Sequence, residues 1–228
     1  MEDYLNTIKD EDLRTLKKEI KTNIIRDRCT FFLQSLQGKT IWITTLNIDI
    51  VNSSEKVKAL SSEAVVEYYQ EFIGNTSDLI EDHGGYVLKN VGDCVIGLFP
   101  CSKYFVENHD KAVSCGLAMC DMLKEKLNPY FMERKLPSIA CRISADFGVA
   151  NVVRVRSNGV YPAVDLFGGA MNSAAKISHY AKPNQMVIGE NLLQQLIDVM
   201  DFQFKSINGF SQLGNHKYSV YLVERRSS

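Results

Sequence analysis

Apolar and polar positions along this chain follow two rhythms, and their order predicts a sheet with helices packed against it. Leu13, Leu16, Ile20 and Ile24 recur at spacings of three and four among charged residues in 10–36, an amphipathic helix that Gly38 ends. Trp42 to Ile50 is rich in β-branched residues and reads as a buried strand running into the polar turn Asn52, Ser53, Ser54. From Ser62 onward Val65, Tyr69, Phe72, Thr76 and Ile80 share one helical face, with Gly84 and Gly85 behind the last turn as a C-terminal stop. Tyr86 to Leu88 and Cys94 to Phe99 are apolar runs around Lys89-Asn90-Val91-Gly92-Asp93, which predicts a hairpin with charge at its tip and Pro100 closing it. Val113, Leu117, Cys120, Leu123 and Leu127 mark a second long helix, ended by Asn128 and Pro129.

Ile139 to Phe147 and Val149 to Val155 flank Gly148 ahead of the turn Ser157-Asn158-Gly159, predicting a second hairpin. Gly168 to Tyr180 places small residues at Gly169, Ala170, Ala174 and Ala175, so it should be a helix lying close on the sheet. Its polar side carries Asn172 and Lys176, four apart. A strand at Gln185 to Ile188, a short helix near Leu192 to Val199, and paired strands at Phe202 to Ile207 and Tyr218 to Val223 complete the pattern. The order predicts an α+β sandwich, one mixed sheet with helices against one face. At 228 residues, with neither an internal repeat nor a long linker, the chain suits an N-terminal amphipathic helical extension over 1–39 and one domain over 40–228.

Composition narrows the function classes. Lysine plus arginine number 26 against 27 acids, a net charge of −1, so no basic field draws the protein to nucleic acid or to a membrane surface. The six cysteines form no CxxC pair and lie mostly in apolar runs, which fits buried free thiols in a reducing compartment. No stretch reaches the roughly 18 apolar residues of a membrane helix, so the expected location is cytoplasmic.

The candidate chemistry sits at the ends of predicted elements. Asp49 closes the first strand and Asp93 tips the following hairpin, so neighbouring strands would bring two carboxylates together. Two such acids do not both stay ionised without a cation, and Mg²⁺ or Mn²⁺ held by one or two carboxylates and substrate phosphates is the usual answer in phosphoryl chemistry. Singly these residues carry little. An acid in a turn is as often a solvated cap, Lys89 alone reads as a solvated hairpin lysine, and Asn172 with Lys176 as a polar helix face.

Jointly they resemble a known family. NIDIVNSS resembles the first metal-binding motif of class III nucleotidyl cyclases, KNVGD the second, and DLFGGAMNSAAKI the signature helix, in the family's order and approximate spacing over about 40–224. The resemblance implies a ferredoxin-like βαββαβ core with added strands, and a head-to-tail homodimer with two active sites at its interface. It implies that Asp49 and Asp93 bind two divalent cations, with the Ile50 carbonyl as a further ligand. The other protomer would supply Lys89 and Asp165 to read the base, Asn172 to orient the ribose and Lys176 to neutralise charge on the α-phosphate. The implied reaction converts ATP to 3′,5′-cyclic AMP and pyrophosphate, the cations activating the 3′-hydroxyl and holding the leaving group. A lysine ammonium donates to adenine N1 and a carboxylate accepts from the 6-amino group. Guanine reverses that polarity at N1, where guanylate cyclases of this family carry a glutamate in place of Lys89.

The chain departs from the family pattern in three places. Lys176 stands where most active members carry arginine, keeping the charge but losing the planar fork, so a slow enzyme is expected. Asn52 and Ser53 replace the glycine and aromatic that often follow the first metal acid. The position of a C-terminal phosphate-binding lysine is open between Lys205 and Lys217, and neither is assigned. The competing readings are a weak or inactive cyclase-homology domain that binds nucleotide and signals by dimerising, a cyclase for another nucleotide, and a plain α+β interaction module.

Overall fold

Two-residue alternation along the central strand sets up the whole molecule. In the computed structural model, described over residues 28–101, 107–155, 163–196, 201–213 and 216–226, strand β1 (Thr40–Ile50) lies between two antiparallel partners, β3 (Cys94–Cys101) and β4 (Cys141–Val155). Leu46, Ile48 and Ile50 point into the main core, so the intervening Thr45, Asn47 and Asp49 face the opposite side of the sheet. With β2 (Tyr86–Val91), β5 (Ala163–Gly168), β6 (Gln185–Gly189), β7 (Phe202–Leu213) and β8 (His216–Arg225), the sheet runs β2-β3-β1-β4-β6-β8-β7, and β5 pairs with the far end of β4. Only β4 and β6 are parallel; every other pair is antiparallel.

Helices cover both faces, not one as the sequence suggested. Helix α1 is described over residues 28–34. A short α2 (Ser53–Val57) follows β1, and α3 (Ser62–Asp82) starts at Ser61, whose hydroxyl accepts from the Ala64 amide. Tyr68, Phe72 and Ile80 of α3 are buried in the main core together with Ala112, Val113 and Met119 of α4 (Glu107–Met122). On the other face, α6 (Gly169–Ile177) lies against β4, where the Ser144 hydroxyl donates to the Ala174 carbonyl. Cys29 and Leu33 of α1 are buried on that same side with Ile43, Leu98, Ala150 and Leu166. Residues 10–27 of the predicted amphipathic helix lie outside the described residues; Gly38, at φ 72, stands where the sequence placed the stop.

Four further elements differ from expectation. Lys89 is inside β2, because the strands reach to Val91 and Cys94 and leave only Gly92, at φ 62, and Asp93 for the turn. Pro100 is part of β3. Asn128-Pro129 does not end the second long helix: α4 passes through a π-helical turn at Leu123–Leu127 into α5 (Asn128–Glu133), with Pro129 in the first turn, where a missing N–H costs nothing. The Asn128 side chain instead clamps the Ile139 backbone, donating to its carbonyl at 2.9 Å and accepting from its amide at 2.6 Å. Finally, Gly148 lies within one continuous β4, and Ala163–Gly168, read in part as helix, is the strand that completes the second hairpin. Gly168 must be glycine because a Cβ there would lie 2.3 Å from the Val149 carbonyl oxygen. Among the described residues no helix is long and apolar enough to cross a membrane.

Candidate active site

The first half of the site is acidic. Asp49 pairs in register with Cys94 of β3 and with Arg142 of β4, so the turn residue Asp93 is next to Cys94 at the same end of the strands. Burial and then the neighbouring Asp93 carboxylate push the Asp49 carboxyl above its ordinary range, and Arg142 pulls it the other way. The Cys94 thiol between them is pushed up to about 12 by burial and then by both acids. Two neighbouring carboxylates are the donor type that suits a hard divalent cation. Ile50, in the next position, is buried and pairs with Cys141. Asn52 takes the left-handed conformation, φ 55 and ψ 39, a region that glycine adopts freely and asparagine tolerates.

The second half is formed by residues far apart in register. Lys89 lines up through Ile96 and Asn47 with Ser144 on β4, whereas Asp165 pairs with Val153, nine positions further along that strand. On a flat sheet that offset is about 30 Å. Yet Lys89 Nζ donates to both Asp165 oxygens, at 2.9 and 2.7 Å, and the Leu166 amide donates to Oδ1 at 2.8 Å. The β4–β5 hairpin therefore curls back over the sheet, and Leu166 and Val164 of β5 share an apolar cluster with Leu98 of β3 and Tyr86 and Leu88 of β2. Helix α1 seals this region. Phe32 stacks on Tyr86 with ring centroids 4.7 Å apart, Arg28 pairs with Glu81, and burial followed by the Asp165 charge pushes the Cys29 thiol up to about 12.

Asn172 and Lys176 are exposed on α6, one turn apart, and line one cleft of about 580 Å³. Beneath them Asp146 is fully buried and accepts from the Phe147 amide at 2.9 Å, the Leu192 amide at 3.3 Å and the Tyr218 hydroxyl at 2.7 Å. Burial raises its carboxyl and these bonds, with one from Ser173 of α6, lower it. The structure thus brings Asp49 to Asp93, Lys89 to Asp165, and Asn172 to Lys176. No hydrogen bond or ion pair among the described residues joins the acidic half to the other two pairs.

Sequence reasoning missed Arg142, whose buried Nε has no hydrogen-bond partner among the described residues, although an arginine amid an apolar run was a visible signal. It also missed Asp146, a buried acid inside a predicted strand.

The sequence matches the adenylate and guanylate cyclase catalytic domain family over residues 38–225. The chain belongs to that family. Among curated relatives, a cytidylate cyclase of Escherichia coli is 25% identical over 167 residues, covering 69% of this chain and 35% of the relative. A uridylate cyclase of a Rhodovulum species is 28% identical over 144 residues, covering 59% and 57%. The receptor-type guanylate cyclase gcy-5 of Caenorhabditis elegans is 27% identical over 169 residues, covering 72% and 14%. The chain spans less than two thirds of each of these relatives. In fold, it superposes on the adenylyl cyclase CyaB of P. aeruginosa with a TM-score of 0.75 at 19% identity, covering 83% of this chain and 96% of that one. The guanylate cyclase domain of RhGC from Catenaria anguillulae gives 0.71 at 19% identity, covering 83% and 100%. Class III cyclase domains bind nucleotide, use divalent cations and act as dimers, and the fold here is theirs.

Proposed function

We propose that this class III cyclase domain converts ATP to 3′,5′-cyclic AMP and pyrophosphate at two equivalent sites between the protomers of a homodimer, residues 40–228 forming the catalytic domain and 1–39 a helical extension. The observation that carries the ATP reading is the Lys89–Asp165 pair, closed at 2.7 Å. It presents an ammonium donor and a carboxylate acceptor side by side, the polarity that adenine N1 and its 6-amino group require.

In this reading Asp49, Asp93 and the Ile50 carbonyl hold two Mg²⁺ or Mn²⁺ ions, which supply Lewis-acid activation of the 3′-hydroxyl and charge neutralisation at the pyrophosphate. The chain's own residues do the rest. Asn172 hydrogen-bonds the ribose and fixes its pucker for in-line attack. Lys176 places a positive charge where the α-phosphoryl oxygens gain negative charge, as a point charge without the planar bidentate fork of arginine, so turnover is slow. The buried Asp146 holds α6, and with it both side chains, against β4 and β8.

A second reading is favoured by a specific observation: two of the relatives above are named as cyclases of pyrimidine nucleotides. A cytosine or uracil ring is smaller than adenine and leaves part of the Lys89–Asp165 pair unused. Incubation of the purified protein with ATP, GTP, CTP or UTP in Mn²⁺ or Mg²⁺, with cyclic products resolved by mass, separates the readings. Cyclic AMP as the main product supports the first, cyclic CMP or UMP the second, and no product from any of the four supports a nucleotide-binding signalling module.

A further inference from the structure

The cleft that Asn172 and Lys176 line has a second wall that the cyclase reading leaves unused. Its volume, about 580 Å³, lies within the range of small-molecule sites. Part of its lining is aromatic: Trp42, 37% exposed, stacks on Phe147 with centroids 5.2 Å apart and 20° between the rings. Another part is a row of side-chain amides, Asn191, Gln194 and Gln195, from the segment where α7 (Glu190–Leu193) ends. Among the described residues Lys176 is the one cation in the lining, and none of the lining residues is an acid. The floor is rigid, because the buried Asp146 carboxylate binds the Phe147 amide and the Tyr218 hydroxyl, and that hydroxyl oxygen accepts from the Asn191 amide.

These features describe a ligand. An indole face exposed in a cleft suits a flat heterocycle. Three amides present donors and acceptors together, which suits the hydrogen-bonding edge of a base. A lysine that is the one charged side chain among the described lining residues balances one negative charge, whereas a triphosphate brings several and needs metal or more cations. We propose that this cleft holds a 3′,5′-cyclic nucleotide, its base on Trp42 and its single phosphodiester charge on Lys176. It is then a product-holding site on the catalytic helix, and an occupied cleft inhibits turnover because it engages Lys176. The identity of the occupant rests on the cyclase reading; the cleft's capacity to bind it does not.

Trp42 is the single tryptophan of the chain, so its fluorescence reports the cleft directly. The purified protein is titrated in EDTA with cyclic AMP, cyclic GMP, cyclic CMP and cyclic UMP. The expected result is a saturable change in emission with at least one of them, kept in Asp49→Ala and weakened about tenfold in Kd by Gln194→Ala with Gln195→Ala, the loss of roughly two hydrogen bonds. Unchanged emission with all four, a change lost in Asp49→Ala, or one that the glutamine double variant leaves at the original Kd overturns the proposal. Turnover is measured separately. A saturable change without turnover from any triphosphate sinks the cyclase reading and leaves the cleft standing, and turnover without a saturable change does the reverse.

Discussion

Two clusters that start from nearly the same level of β1, Lys89 in line with Asn47 and Asp93 beside Asp49, differ in how complete they are. Where β5 curls over β2, Lys89 and Asp165 satisfy each other, and the Leu166 amide takes up part of the remaining acceptor capacity. At the tip of the β2–β3 hairpin, Asp49 and Asp93 do the opposite: burial and mutual repulsion raise the Asp49 carboxyl, with only Arg142 opposing. In the proposed function, the fold alone builds the half assigned to base reading. The acidic half would be a charge imbalance left for cations to answer, so it is the half whose removal should cost activity without costing stability.

The largest expected effect tests that asymmetry. Asp49→Ala should lower turnover by about 10³ or more, since it takes away half of the carboxylate set, while the melting temperature in EDTA stays level or rises as the repulsion disappears. A fall of several degrees without metal would show that Asp49 is a structural acid. Next, Lys89→Ala leaves Asp165 unpaired, and kcat/KM for the preferred nucleotide should drop by about 10²-fold with a flatter preference among the four bases. Equal losses for all four would remove Lys89 from base recognition. Lys176→Arg should act in the opposite direction, raising kcat by about tenfold through the planar bidentate fork of the guanidinium. No gain, or a loss, would show that the helix is set for the shorter cation.

The smallest effect lies outside the residues proposed to touch the nucleotide and serves as a control. His109 of α4 is buried, its Nδ1 is 2.9 Å from the Thr44 hydroxyl, and burial pushes its pKa down to about 4 from 6.5. The unfolded chain then binds the extra proton first, so stability is full above about 6.5 and is lost as pH falls toward 4. His109→Gln should flatten that part of the acid melting curve and leave nucleotide preference unchanged; an unaltered acid slope would mean that His109 is not buried neutral.

Much of this was legible because it is periodic or local. The β-branched run from Trp42 to Ile50 placed Asp49 at the end of a buried strand, and the hairpin tip over Lys89–Asp93 put a second acid within reach of it. The helical spacing of Asn172 and Lys176 likewise gave their shared face. What the sequence hid is tertiary. The Lys89–Asp165 contact depends on a coil of β4 that no local pattern encodes, since register alone sets them nine positions apart. Pro129 read as a helix end because its own preference is local, whereas the π-helical turn ahead of it lets the next helix begin with it. The cleft wall escaped notice because Trp42 and Gln194 belong to elements that meet only in the fold.

In the proposed dimer the two halves of each working site come from different protomers. Co-expressing Asp49→Ala with Lys176→Ala probes this arrangement, because each variant alone lacks one half at both sites. Random pairing makes half of the dimers mixed, each with one intact site, so activity should recover to about a quarter of the unmodified level. Activity no higher than that of the separate variants would contradict it, and would place the acids and Lys176 of a single chain in the same site.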